Sequence, residues 1–180
     1  MILVLTFNKS PRIHLIVLSV ILVAATNSCV GYKLGINKPA HLSEVSTVYV
    51  AIFKNETLEP RIQTLATNAT IKALQQSGAY QTSNLHDADA TLHTTIKSIS
   101  RRQLRATREN VLRTKEIEFI IEAAFTLENN ITGKLQDEGT LKGQSSSYLG
   151  SNFQLTKRQA VQRAADDLAK KISARISEGF

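Results

Sequence analysis

Residues 101–115 read RRQLRATRENVLRTK and bring together Arg101, Arg102, Arg105, Arg108, Arg113 and Lys115, with Glu109 the one acid among them. A guanidinium is planar, stays charged at every physiological pH and grips two oxygens of a phosphate at once. The chemistry this run offers is recognition of an anion, and a solvated charged face is the competing reading. Nucleic acid fits it poorly, because no aromatic side chain interleaves with the cations for bases to stack on. Other polar groupings offer less. His86 and His93 bracket Asp87 and Asp89, but no further ligand accompanies them, and a solvated strand edge accounts for them without a metal. Asp166 and Asp167 are adjacent, and on a helix their side chains diverge, so they make no acid and base pair. The sequence has no Gly-rich phosphate loop, no G-x-S-x-G turn and no H-E-x-x-H pair. It therefore offers no catalytic constellation, and neither enzyme activity, metal nor cofactor is expected.

Cys29 is the single cysteine of the 180-residue chain, which excludes an internal disulfide. Ahead of it stand Lys9 and Arg12, an uncharged run from Ile13 to Ala25, and small or polar residues up to Ser28. Basic, then apolar, then small is the order of a secretory signal peptide, and the run is short of the roughly 20 residues a helix needs to span a bilayer. A cysteine directly after such a segment resembles the lipobox of bacterial lipoproteins, where cleavage before the cysteine frees an N-terminus for acylation. Ser28 fits the position before the cut, while Thr26 stands where the pattern prefers Leu. A free thiol is the alternative, although a lone unpaired cysteine is unusual in an exported protein. On this reading residues 1–28 are a signal peptide, 29–44 an acylated tether and 45–180 a single α+β periplasmic domain. Losing residues 1–28 takes Lys9 and Arg12 and leaves 20 basic against 15 acidic residues, a formal charge of +5.

The elements that must carry the basic run follow from periodicity. STVYVAIFKN is rich in β-branched and aromatic residues, as a strand is. The next stretch spaces Ile62, Leu65, Ala66, Ala69 and Ala73 on one helical face and ends at Gly78, with Pro60 at its start. Ala90, Leu92, Thr94 and Ile96 return to alternation. EIEFIIEAAFTLE alternates most plainly, with Ile117, Phe119, Ile121, Ala123, Phe125 and Leu127 on a dry face and the glutamates on a largely wet one. NNITGK supplies a turn, and LQDEGTLKGQSSSYLG reads as a weaker strand, bulged or at an edge because of Gly139 and Gly143. Val161, Ala165, Leu168, Ile172 and Ile176 form the stripe of a terminal helix with Thr156 as its expected N-cap. The order β-α-β-β-β-α predicts an α+β two-layer sandwich, two helices packed on one face of a four-stranded mixed sheet. The helical crossover makes the first two strands parallel, and the later hairpins are antiparallel.

CVGYKLG from Cys29, VYVAIFKNETLEPRI from Val48, SGAY from Ser77 and ADATL from Ala88, in this element order, resemble the LptE-like lipopolysaccharide-assembly lipoproteins of the outer membrane. The resemblance implies acylation at Cys29 and a lipid-anchored place on the periplasmic face of the outer membrane. It also implies a role as plug and partner of an LptD-like β-barrel, with binding of lipopolysaccharide. Arg101, Arg102, Arg105, Arg108, Arg113 and Lys115 would then meet phosphates of lipid A or an inner-core sugar. Tyr148, Leu149 and Phe153 are candidates for contact with the barrel, the competing reading being that they close the core beneath the last helix. Two other functions stay open: an envelope adaptor lipoprotein that activates a peptidoglycan synthase or serves a secretion channel, and a basic nucleic-acid-binding domain. Export would separate the chain from nucleic acid, so none is expected as a partner.

Overall fold

The alternation of EIEFIIEAAFTLE lies within a long strand whose dry face carries the core. In the computed structural model, which describes residues 38–106, 114–148 and 152–179, this strand is β5 (Thr114–Asn129). Its Phe119, Ile121, Ala123, Phe125 and Leu127 are all buried. The other face departs from expectation at one end, where Glu116 and Glu118 are 9% and 8% exposed. There one oxygen of Glu118, Oε2, accepts hydrogen bonds from both Arg102 Nε at 3.0 Å and Nη2 at 2.7 Å, a charge-assisted contact that makes a shielded carboxylate tolerable.

β1 (Thr47–Val50), β4 (Ala90–Ala106), β5 and β6 (Leu135–Tyr148) are the four expected strands. β1 pairs β4 in parallel, while β4–β5 and β5–β6 are antiparallel. Two further strands of two residues each enlarge the sheet: β2 (Lys54–Asn55) pairs Thr95 and Ile96 of β4, further along the strand than β1 does, and β3 (Gln81–Thr82) pairs β1. The spatial order is β3-β1-β4-β5-β6. β6 is thus an edge strand, as its glycines suggested, although its ladder runs without a break through both Gly139 and Gly143.

α1 (Ile62–Ser77) and α2 (Phe153–Glu178) pack against each other and on the sheet. The stripe of α2 is buried at every expected position, and Leu168, Ile172 and Ile176 are fully enclosed; burial of such a side chain contributes about 2 kcal/mol. α2 crosses β6 at Gly143, where a Cβ would stand 2.2 Å from the Ala164 carbonyl oxygen and 2.5 Å from Leu168 Cβ. The missing side chain is what lets helix and strand meet. α1 ends at Gly78 in the left-handed region, φ 67°, a conformation that favours glycine. α2 begins four residues before the expected cap: Asn152 Oδ1 accepts from the Leu155 N–H at 3.1 Å. Thr156 instead lies inside the helix, its hydroxyl donating to the Asn152 carbonyl at 3.0 Å, the i−4 bond common to helical threonines. Ahead of β1, a short 3-10 helix (Ala40–Leu42) buries Leu42 completely, so the core recruits residues from before position 45.

Candidate functional site

Arg101 does not lie on the same face as Arg102. Strand alternation separates neighbours, and a bulge decides which goes where. β4 departs from its register with β5 between Ile96 and Ser98, leaving Lys97 as the extra residue. Before the bulge Leu92, Thr94 and Ile96 face the helices; beyond it Ile99 and Arg101 do, opposite Ile121 and Phe119. Arg102 falls on the helix-free face and is taken up by Glu118. The backbone of Arg105 lies in register with Glu116, and Lys115 belongs to β5. Arg108, Arg113, Leu149 and Cys29 lie outside the described residues. Those basic residues that are described therefore divide between two faces of the sheet instead of forming one surface.

Arg101 has different company. Beside it the loop after β2 is bound tightly to itself: Asn55 Oδ1 accepts from the Thr57 N–H at 2.9 Å and its hydroxyl at 2.7 Å, and Asn55 Nδ2 donates to the Glu59 carbonyl at 3.0 Å. Asparagine closes such turns because its amide mimics a backbone unit. Glu59 is fixed in turn to α2 by Lys157, Nζ to Oε2 2.6 Å. At the tip of this braced loop Leu58 is fully exposed. Between the loop, the distal part of β4–β5 and the first turn of α2 lies a cleft of about 530 Å³ lined by Leu58, Ile99, Arg101, Phe119, Phe153 and Lys157 among others.

The cleft is amphipathic. Ile99, Phe119, Phe153 and Leu58 supply apolar walls, while Lys157 is neutralised by Glu59. Among the described residues no carboxylate forms an ion pair with Arg101. A guanidinium with no acid to satisfy it, set beside apolar walls, suits a ligand that carries both an anionic group and an apolar body. Two expected residues of separate roles, Arg101 for anions and Phe153 for a partner, thus meet in one place. Tyr148 does not join them. It is 58% exposed and in register with Glu116 on the helix-free face. The sequence reading missed Leu58, Ile99, Phe119 and Lys157 as members of the site. Asn55, not read from the sequence as a turn residue, is the signal that could have found the loop; nothing local marked the bulge that turns Arg101 toward it.

The histidine and aspartate group serves the fold. Asp89 Oδ2 accepts from the backbone N–H groups of Ser46 and Thr47, each at 2.8 Å, and these bonds hold its carboxyl below the ordinary value. Among the described residues no three His, Cys, Asp or Glu side chains gather as metal ligands.

A family model described as LptE, lipopolysaccharide-assembly, matches residues 45–176. No curated protein sequence matches the chain. Among solved structures, the minor lipoprotein of Acinetobacter baumannii is similar at TM-score 0.50 and 20% identity, over 74% of this chain and 92% of that one. The Chlamydia trachomatis protein CT253 gives 0.52 at 13% identity, covering 73% and 96%. Protein XCC0632 of Xanthomonas campestris gives 0.50 at 11%, covering 74% and 85%. At these identities the likeness is one of fold. Among the described residues no helix is long and apolar enough to cross a membrane.

Proposed function

The chain belongs to the LptE lipopolysaccharide-assembly family, and we propose that this protein is an outer-membrane lipoprotein, anchored by acyl chains on Cys29, that supports lipopolysaccharide transport as partner of an LptD-like β-barrel. In that role it binds lipopolysaccharide through the cleft around Arg101. The observation that carries the binding part is the pairing of an acid-free guanidinium with walls formed by Leu58, Ile99, Phe119 and Phe153. A phosphate on lipid A would meet Arg101 bidentately, and acyl chains would lie against the apolar walls. The exposed Leu58, held on a loop that cannot easily fold away, would anchor the lipid or the barrel.

Two measurements test this. Intact mass with membrane fractionation of the full chain is expected to give residues 29–180 plus a diacylglyceryl and an acyl group in the membrane, and Cys29→Ala is expected to lose both. An unmodified wild-type chain retaining residues 1–28 would sink the anchor. For the cleft, Arg101→Glu and Leu58→Asp in the detergent-solubilised full chain should each weaken lipopolysaccharide binding by about tenfold or more, the scale of one charge-assisted hydrogen bond. Both residues are exposed, so stability should change by no more than about 0.5 kcal/mol. Unchanged binding by both variants would remove the cleft from the reading.

A further inference from the structure

A long edge strand is a hazard, because its outward N–H and C=O groups invite another strand to pair. β6 is such a strand, yet its outer side is occupied. Lys171 Nζ donates to the Lys142 carbonyl at 2.8 Å, the Gln144 N–H donates to Asp167 Oδ2 at 2.8 Å, and Arg163 Nη2 donates to the Ser146 carbonyl at 3.4 Å. Further along, Arg175 binds Asp137 at 3.0 and 3.1 Å, and Asp137 Oδ1 accepts the Glu138 N–H at 2.9 Å. All the strand residues served, at 138, 142, 144 and 146, share one parity, that of the residues whose backbone groups turn away from β5. The helix residues that serve them fall at 163, 167, 171 and 175.

The spacing has a physical basis. Four helical residues advance about 6.0 Å and two strand residues about 6.8 Å, so Arg163, Asp167 and Lys171 come level in turn with Ser146, Gln144 and Lys142, while Arg175 passes over Thr140 to reach Asp137. The match needs the helix to lie almost on the strand, which Gly143 permits, since a Cβ there would meet the Ala164 carbonyl oxygen at 2.2 Å.

We propose that the stripe Arg163, Asp167, Lys171 and Arg175 is an edge guard, and that the partner it excludes is the β6 strand of a second copy of this chain. Charge complementarity selects that partner. Thr140 lies in the middle of the guarded stretch, and among the described bonds none from α2 reaches it. Antiparallel pairing of two β6 strands about Thr140 sets Lys142 of each copy opposite Glu138 of the other. The contact is isologous and carries two opposite-charge cross-strand pairs. Both residues are exposed; Lys142, paired within the chain to Glu122 at 3.0 Å, would exchange that surface partner for Glu138 of the second copy.

The test uses the full chain in detergent, with protein mass read by light scattering during size-exclusion chromatography. The triple variant Arg163→Met, Asp167→Leu, Lys171→Met keeps apolar stems over the strand and removes the side-chain donors and acceptor that hold its backbone groups. Its protein mass is expected to be double that of the wild type. Adding Gln144→Pro should restore the wild-type mass, because that N–H faces away from β5 and its loss spares the ladder while blocking an incoming strand. A triple variant with wild-type circular dichroism and wild-type mass would overturn the proposal. So would a doubling that Gln144→Pro fails to reverse. Should the triple variant lose its fold, Lys171→Met alone is judged by the same two criteria. Neither outcome depends on the ligand or the anchor.

Discussion

Asp89 and Tyr80 show how single side chains join distant parts of the chain and how pH reports on them. Asp89 holds the start of β1 through two backbone N–H groups while its own N–H donates to Thr47 Oγ1 at 2.9 Å. Its carboxyl lies below its ordinary value of 3.8, through the bonds from Thr47 first and Ser46 second. A depressed folded-state value means stability present above pH ~4 and lost as pH falls through the lower folded value. Asp89→Asn should flatten that acid limb in urea titrations across pH and cost about 1 kcal/mol at neutral pH; an unaltered acid limb would refute the assignment. Tyr80 behaves in the opposite sense. Its hydroxyl donates to the Ile176 carbonyl at 2.9 Å, and burial pushes its ionisation up to about 12. The stability it adds is complete below the unfolded value near 10 and is lost as pH rises toward 12. Tyr80→Phe should remove that alkaline loss and cost about 1 kcal/mol, leaving a buried carbonyl without its donor.

At the scale of elements, the junction of β6 and α2 carries the sharpest expectation. Gly143→Val drives new atoms into backbone and into Leu168 Cβ, neither of which can swing aside, so a loss of about 2 kcal/mol or more in thermal or urea unfolding is expected. Gly139→Ala should cost less, since its Cβ would meet only the Phe125 ring edge at 3.2 Å. Asn152→Ala removes the cap of α2 and should cost about 1 kcal/mol, whereas a cap at Thr156 would have left it silent. These elements differ in how well the sequence displayed them. The dry face of β5 and the stripe of α2 were legible because a repeated period outweighs any single residue. β2 and β3 were not, because two-residue strands exist only through their partners. Nor was the parity change at Lys97, since an extra residue in one strand is visible only against the register of the next. That is why the basic run looked like one patch and is divided between two faces, and why Arg101 could not be placed beside Phe153 in advance.

On the scale of the whole molecule, the α+β sandwich followed from element order alone, while the cleft depended on how the far ends of three elements converge. α2 connects the two ends of the domain. Its last turn adjoins the point where the chain enters: Gly179 lies beside Pro39, with a Cβ there only 3.1 Å from the proline ring, and the Lys38 ammonium stands 4.6 Å from the centre of the Tyr80 ring. Its first residue, Phe153, lines the cleft. The 26 residues between measure about 39 Å along the axis, more than the roughly 30 Å thickness of a bilayer's hydrocarbon core. Within the described domain the helix is thus a rigid boom: the end that carries Phe153 stands a full helix length from the point where the chain enters at Lys38, so the cleft and the entry point are held at a fixed separation.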